Sequence, residues 1–317
     1  MPAKKLSIII CTYNRSRLLS GAIESVFESV YEDIRDQIEL VIVNNNSDDE
    51  TEEIALEYKE KSPIDFIYAF EPKQGLSHAR NKGIEVSSGE YLGYIDDECR
   101  INKQWLQKAL EIIQTEKLDM FGGPYKPVFS EDPPSWVKPK YFGTAGWYDK
   151  DHKVTDKDVF LVGNNMIIQR DVFAINGSFD PDYGMTGNKI GYGEEVIFQK
   201  QLMKRKADAK IIFFKNLEIN QLTSLSKTKF KWLFKASLAQ GKSAAQQTQE
   251  LVEKKDESKM FLLLKILYLL TSCVLGSIKN IIFRDKEKYP YWMNYFVEQK
   301  RREISAITTY YLQLTGH

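Results

Sequence analysis

A chain of 317 residues, 43% hydrophobic and 28% charged, holds one large domain or one domain with a substantial appendage, and is too apolar and too ordinary in composition to be disordered, collagen-like or a disulfide scaffold. Its 44 basic and 44 acidic side chains cancel, which taken alone argues against nucleic acid or a membrane surface as partner. The cancellation is between unlike parts, however: residues 1–223 carry 28 basic and 36 acidic side chains (−8), and residues 224–317 carry 16 and 8 (+8).

The chain opens MPAKKLSIIICTYN. Its apolar run of about six residues is shorter than a signal-peptide core and lacks a small-residue cleavage site, so Leu6–Thr12 reads as a buried first strand. Helical spacing follows over Leu18–Val30, then a strand at Ile38–Val43, a polar turn at Asn44–Asp48 and a helix at Thr51–Lys61. Ile64–Phe70 predicts a third strand, Leu76–Val86 a helix opened by Gly75, Tyr91–Ile95 a fourth strand, Trp105–Thr115 a helix and Met120–Gly123 a fifth strand. Strands alternating with helices of this length predict an α/β fold with a mostly parallel sheet covered on both faces. Ligands of such sheets bind beyond the carboxyl ends of the strands, here Thr12–Arg15, Asn44–Asp48, Glu71–Gly75 and Asp96–Glu98.

Between Tyr125 and Asp158 four prolines interleave with Trp136, Tyr141, Phe142, Trp147 and Tyr148. The prolines preclude a helix and the aromatics argue against disorder, which describes an ordered loop region that shapes a cleft. Trp136 and Trp147 are either sugar-stacking platforms or packing residues. Phe160–Gln169 then predicts a strand, Glu195–Lys206 a helix and Ala209–Phe214 a last strand. These elements divide the chain into a catalytic domain, 1–223, with halves of about 1–123 and 124–223, and a basic, partly apolar helical extension, 224–317. In the extension, Thr228–Ala245 is an amphipathic helix and Met260–Phe283 is strongly apolar. Lys265 and Lys279 leave only the 13 residues Ile266–Ile278 uncharged between them, short of the ~17–25 of a spanning helix.

Four constellations carry chemistry. Asp96, Asp97 and Glu98 follow a strand directly. Three adjacent carboxylates repel one another, so they are either a solvated acidic turn or the oxygen ligands of a hard ion such as Mg²⁺ or Mn²⁺. Glu194 and Glu195 open a helix, where the dipole favours acids, or supply a general base beneath the glycines around Tyr192. Asn44–Asp48 is turn chemistry or a ligand contact, and Arg80 in GLSHARNKG is a surface charge or a phosphate or base contact. No GxGxxG, GxxxxGK[ST] or GxSxG fingerprint is present. Cys11, Cys99 and Cys273 have no framework spacing and read as free thiols of a reducing compartment. His78, His152 and His317 have no metal-ligand spacing.

The order and spacing of SIIICTYNR, VIVNNNSDDET, GLSHARNKGI, GEYLGYIDDECRINKQWL, FLVGNNMIIQRDVFAINGSFDPDYG and GYGEEVIFQKQLMKRKADAKIIF resemble a family 2 glycosyltransferase of bacterial type, over about residues 5–245. The resemblance implies a GT-A type αβα sandwich and inverting transfer from a nucleotide-diphospho-sugar to a glycan or lipid-linked acceptor, as in polysaccharide biosynthesis. It implies Thr12, Tyr13 and Asn14 in the base pocket, Asn45 beside the nucleobase, Arg80 near the nucleotide, and Asp96 and Asp97 on ribose and sugar. Glu98, with Asp96, would hold a Mn²⁺ or Mg²⁺ ion, and Glu195, preceded by Glu194, would be the base. Five positions depart from the family: Asn44, Asn45, Glu98 and Glu195 each stand where Asp is common, and Gln221 stands near a frequent His. Those departures leave open a non-catalytic sugar-nucleotide binder, and the acid cluster alone would also suit a Mg²⁺-dependent α/β phosphohydrolase. The −8 half then suits a metal and a diphosphate rather than nucleic acid. The +8 extension suits an anionic membrane surface on the cytoplasmic side, or packing on the catalytic domain or on a second subunit of a homo-oligomer.

Overall fold

The computed structural model describes residues 4–144, 146, 148–155, 160–187, 189–251 and 258–315. The described chain forms two compact units, one of residues 1–128, 142–188 and 194–223, the other of 129–141, 189–193 and 224–317.

In the first unit, β1 (Leu6–Thr12), α1 (Ser16–Phe27), β2 (Ile38–Asn44), α2 (Thr51–Glu60), β3 (Asp65–Phe70), α3 (Leu76–Val86) and β4 (Tyr91–Ile95) follow in order. Next come β5 (Cys99–Ile101), α4 (Trp105–Thr115), β6 (Met120–Gly122), β7 (Tyr125–Val128), β8 (His152–Lys153), β9 (Asn165–Gln169), α5 (Asp171–Asn176), α6 (Glu194–Arg205), β10 (Ile211–Phe213) and β11 (Ile219–Leu222). β2 and β4 are buried at every residue, as strands covered by helices on both faces must be. Alternate side chains of β1 feed two separate cores, Ile8 and Ile10 on one face and Ile9 on the other.

The eight-stranded sheet runs β3-β2-β1-β4-β9-β6-β10-β8. β1, β2, β3 and β4 are parallel, but β9 enters between β4 and β6 antiparallel to both, pairing Tyr91 with Gln169 and Ile95 with Asn165. The predicted strand from Phe160 begins only at Asn165, because the amide of Asn165 closes a turn on the carbonyl of Val162. A three-stranded sheet, β5-β11-β7, carries Gln221 opposite Cys99. Its strands of three and four residues are too short for a periodic signal.

The second unit holds α7 (Phe230–Leu251), α8 (Lys259–Ile282), the single turn α9 (Trp292–Tyr295), a π-helical turn at Phe296–Lys300 and α10 (Arg301–Thr315), with α10 packed on both α7 and α8. Of the two predicted stacking platforms, Trp136 is buried in this unit. It stacks on Tyr141 (6.3 Å between centroids), and its carbonyl accepts from Asn294 Nδ2 at 2.5 Å. Trp136 is therefore a packing residue; Trp147, like His317, lies outside the described residues. The expectation for the apolar segment also changes: α8 is 24 residues long and by length and composition alone could cross a membrane.

Candidate active site

The carboxyl ends of β1, β2 and β4 lie side by side, and the loops that follow them are cross-tied by side chains. Asn14, at a left-handed φ of 52°, accepts at Oδ1 from the Asp48 amide (2.9 Å), and its own amide donates to Ser47 Oγ (3.0 Å). Asn tolerates that backbone region because its short polar side chain bonds locally. Asn45, 5% exposed, donates from Nδ2 to the carbonyls of Glu71 and Lys73 and accepts at Oδ1 from the Gly75 amide (2.8 Å). Its side chain thus fixes the β3–α3 loop, which an aspartate, lacking the two donors, could not do in the same way.

At the end of β4, Asp97 accepts from Thr12 Oγ1 (2.9 Å) and from Arg15 Nη1 (3.0 Å), and the same guanidinium nitrogen reaches Glu98 Oε2 at 3.3 Å. Gln221 Nε2 donates to the other oxygen of Glu98, and Asn164 Nδ2 donates to Gln221 Oε1 (3.3 Å). Burial, offset in part by Arg80 and reinforced by Glu98 and Asp97, pushes Asp96 up to about 6. Asp97 too is raised by burial, against the opposing pull of Arg15. Arg15, exposed to 39%, is raised by the charge of Asp97 despite partial burial.

The second acidic pair arrives on the first turn of α6. Glu194 is clamped by Arg80, whose Nη1 lies 2.7 Å from Oε1, with side chains 3% and 6% exposed. The Arg80 guanidinium also lies over the rings of Tyr94 and Phe179, at 5.8 and 5.4 Å. Burial opposes its charge, but Glu194, Asp96 and Glu195 together raise it. Glu195 is half-buried and driven well above the ordinary carboxylate range, first by desolvation and then by the like charge of Glu194. Two acidic clusters about 100 residues apart in sequence thus bear on one guanidinium. Cys11, beside them, is pushed up to about 12 by burial, so it is a poor nucleophile.

A divalent cation was expected at Glu98 and Asp96. Among the described residues no three Asp, Glu, His or Cys side chains converge as a ready-made cage. The oxygens nonetheless suit a hard ion that takes one or two protein carboxylates and completes its shell from a diphosphate. Asp96 is buried beside the like charges of Glu98 and Asp97, which Arg80 offsets only in part, and Asn164 Oδ1 beside Gln221 is buried without a partner.

The features from Thr12 to Asn164 sit within a region that matches a known family, and Glu194, Glu195 and Gln221 lie beyond it. The profile described as glycosyl transferase family 2 covers residues 7–175, more than half of the chain. The chain belongs to that family. Among the family's relatives of this chain is the glucosyl-dolichyl phosphate glucuronosyltransferase of Haloferax volcanii, 24% identical over 245 residues, 75% of this chain and 76% of that one. Two solved structures share the GT-A fold. The mannosyltransferase PcManGT of Pyrobaculum calidifontis, in complex with GDP-Man and Mn²⁺, has a TM-score of 0.58 at 13% identity, over 99% of this chain and 86% of that one. TarS 1–349 of S. aureus, in complex with UDP-GlcNAc, has a TM-score of 0.54 at 13% identity, over 99% and 92%.

Within this glycosyltransferase, sequence reasoning missed Arg15 and Gly163. Arg15 stands in a strand-end loop next to an acidic triplet, and charge pairing could have found it. Gly163 gives no such signal: a Cβ there would lie 2.2 Å from Arg80 Nη2 and 2.9 Å from Cζ. Gly163→Ala is expected to displace Arg80 from Glu194 and lower kcat by about tenfold or more, as misplacement of catalytic groups does. Steady-state kinetics of G163A at unchanged far-UV circular dichroism checks this; wild-type kcat would show that Arg80 yields freely.

Proposed function

We propose that this glycosyltransferase is an inverting enzyme that moves a sugar from a nucleotide-diphospho-sugar to a hydroxyl of a glycan or lipid-linked saccharide, in polysaccharide or glycolipid assembly. Residues 1–223 would be the catalytic domain, with donor and acceptor halves meeting near residue 123, and 224–317 an appended helical part. The observation that carries the reading is the convergence of Asp96 with Glu194 and Glu195 on Arg80. A single displacement needs a proton acceptor on one side of the anomeric carbon and stabilisation of the departing diphosphate on the other.

Glu195 takes the proton of the attacking hydroxyl as the new C–O bond forms and the bond to the diphosphate breaks. Its raised affinity for a proton suits that task near neutral pH. Glu194 is clamped by Arg80, and its charge adds to burial in raising the proton affinity of Glu195. Thr12, Tyr13, Asn14, Asp96 and Asp97 line the donor side, with Asn45 and Arg80 as buried supports behind them. Glu98, with Asp96, would hold a Mn²⁺ or Mg²⁺ ion, which when bound neutralises charge on the leaving diphosphate. Where lipid-linked acceptors are used, the protein would work as a peripheral protein on the cytoplasmic face of the membrane.

Incubation with UDP-, GDP- and dTDP-sugars and a lipid-linked acceptor, with Mn²⁺ or EDTA, tests the reading. One donor is expected to give acceptor-dependent product of inverted anomeric configuration by NMR, and EDTA to suppress it. Retained configuration, or nucleotide release without sugar transfer, would overturn the proposal. Glu98→Ala is expected to weaken Mn²⁺-dependent donor binding by about tenfold or more, read by calorimetry; unchanged metal-dependent binding would remove Glu98 from the ligand set.

A further inference from the structure

Helix α8 is built inside out. Its protein-facing stripe mixes two buried apolar residues, Leu262 and Ile266, with Lys265, Ser272, Cys273, Gly276, Ser277 and the buried Asn280, while thirteen large apolar side chains from Met260 to Phe283 are 41% to 75% exposed. Beneath the stripe lies an ion pair with a buried lysine, Lys300 Nζ to Glu303 Oε2 at 2.7 Å. The absent side chain of Gly276 makes room for it, since a Cβ there would lie 2.8 Å from both Lys300 Nζ and Tyr295 Oη. Lys265 turns inward as well, over the rings of Phe261 and Tyr310 at 4.5 and 4.8 Å. A helix bathed by water arranges these residues the other way round.

At 100° per residue the exposed positions fan over about 180° of the helix surface. One partner helix covers a stripe of roughly 100°, so a second copy docked along α8 would leave much of the face wet. A continuous apolar medium covers all of it. With α10 packed along the opposite side, that medium lies on one side only, which describes a helix in the plane of a bilayer rather than across it.

The end of α8 adds a built site. A cleft of about 490 Å³ is lined by Asn280, Arg284, Lys286 and Trp292 together with the apolar run Ile281–Phe283. Asn280 Oδ1, Arg284 Nε and Trp292 Nε1 are all buried there without a partner. Buried polar atoms rarely stay unpaired, and three beside one cleft call for ordered water or a polar ligand there. Two donors and the cations Arg284 and Lys286 suit a phosphate, Asn280 Oδ1 suits a hydroxyl or ammonium, and the adjoining apolar wall suits acyl chains. We propose that this cleft binds the phosphorylated headgroup of an anionic phospholipid while the outer face of α8 lies in the acyl layer.

The inference rests on the peripheral attachment proposed above, and one experiment separates the two. Full-length protein is sedimented with vesicles of phosphatidylcholine alone, or mixed with phosphatidylglycerol, with and without inorganic phosphate. Wild type is expected to prefer the anionic vesicles, untouched by inorganic phosphate. Arg284→Gln with Lys286→Gln should lower affinity for anionic vesicles roughly fivefold per charge and leave binding to phosphatidylcholine unchanged. Leu267→Glu with Leu275→Glu, both at exposed positions and so tolerated by the fold, should abolish binding to both. No binding to either vesicle sinks attachment and cleft together, and a wild-type dimer that L267E/L275E dissociates would assign the face to a second copy. Binding that ignores Arg284 and Lys286, or that inorganic phosphate competes away, overturns the headgroup site alone.

Discussion

Glu195→Gln should cost about 10²–10⁴-fold in transfer rate, the usual contribution of a positioned general base, while donor binding measured by calorimetry stays within a factor of about two. Gln keeps the shape of the side chain but cannot accept the proton. Two pH dependences of opposite sign accompany this loss. The base proposed above would work ionised, so kcat/KM is expected to rise with pH through the titration of Glu195, well above the ordinary carboxylate range. Folding raises the pKa of the same carboxyl, so the folded state holds the proton more tightly than the unfolded chain. Stability therefore falls as pH rises from the ordinary glutamate range through the raised one. E195Q, which cannot ionise, escapes that fall and should melt higher than wild type at neutral pH. Normal turnover by E195Q would move the base to Glu194; a melting temperature unchanged or lowered at neutral pH would deny that burial and the charge of Glu194 raise the proton affinity of Glu195 on folding.

Arg80→Met should destabilise the first unit by about 3–5 kcal/mol, because it leaves Glu194 as an uncompensated buried charge. The pair is almost wholly removed from water, so solvent screening discounts little. Against a typical total of about 5–15 kcal/mol for a domain, such a loss brings the unit near its unfolding threshold. The double variant Arg80→Met with Glu194→Gln should regain most of it, since the removal of both charges leaves no orphan. Urea midpoints of the two single variants and the double variant give the coupling directly. If the double variant is no more stable than R80M, Arg80 stabilises through Tyr94 and Phe179 rather than through Glu194.

The alternation of strand and helix, the carboxyl-end loops and both acidic clusters were legible because each leaves a local imprint: buried apolar runs, strand-end acids, a helix-opening pair. What was hidden is non-local. Nothing in the hydropathy of Asn165–Gln169 reveals that β9 runs antiparallel between β4 and β6, because direction and neighbours depend on the whole sheet. Arg80 looked like a ligand contact because its charge was visible and Glu194, 114 residues away, was not marked as its partner. Asn45 looked like a departure from aspartate, yet its two donors and one acceptor serve the Glu71–Gly75 loop. Counted along the chain, Lys265 interrupts an apolar segment; counted around the helix, it points into the protein and leaves the outer face intact. The folded chain settles such questions by face, whereas a linear count settles them by neighbour.

The late arrival of β9 bears on how the chain is made. Until residues 165–169 leave the ribosome, β4 has no neighbour on its far side, and β6, β10 and β8 have no connection to β1, β2 and β3. A nascent chain ending near residue 123 would show the bare edge of Tyr91–Ile95 with a fully apolar flank, the kind of surface that pairs with its like and aggregates. The stretch up to residue 123 is thus a region of a fold rather than a domain that can be excised. Fragments cut before β9 should be insoluble, and productive folding should wait for a segment well over half-way along the catalytic region.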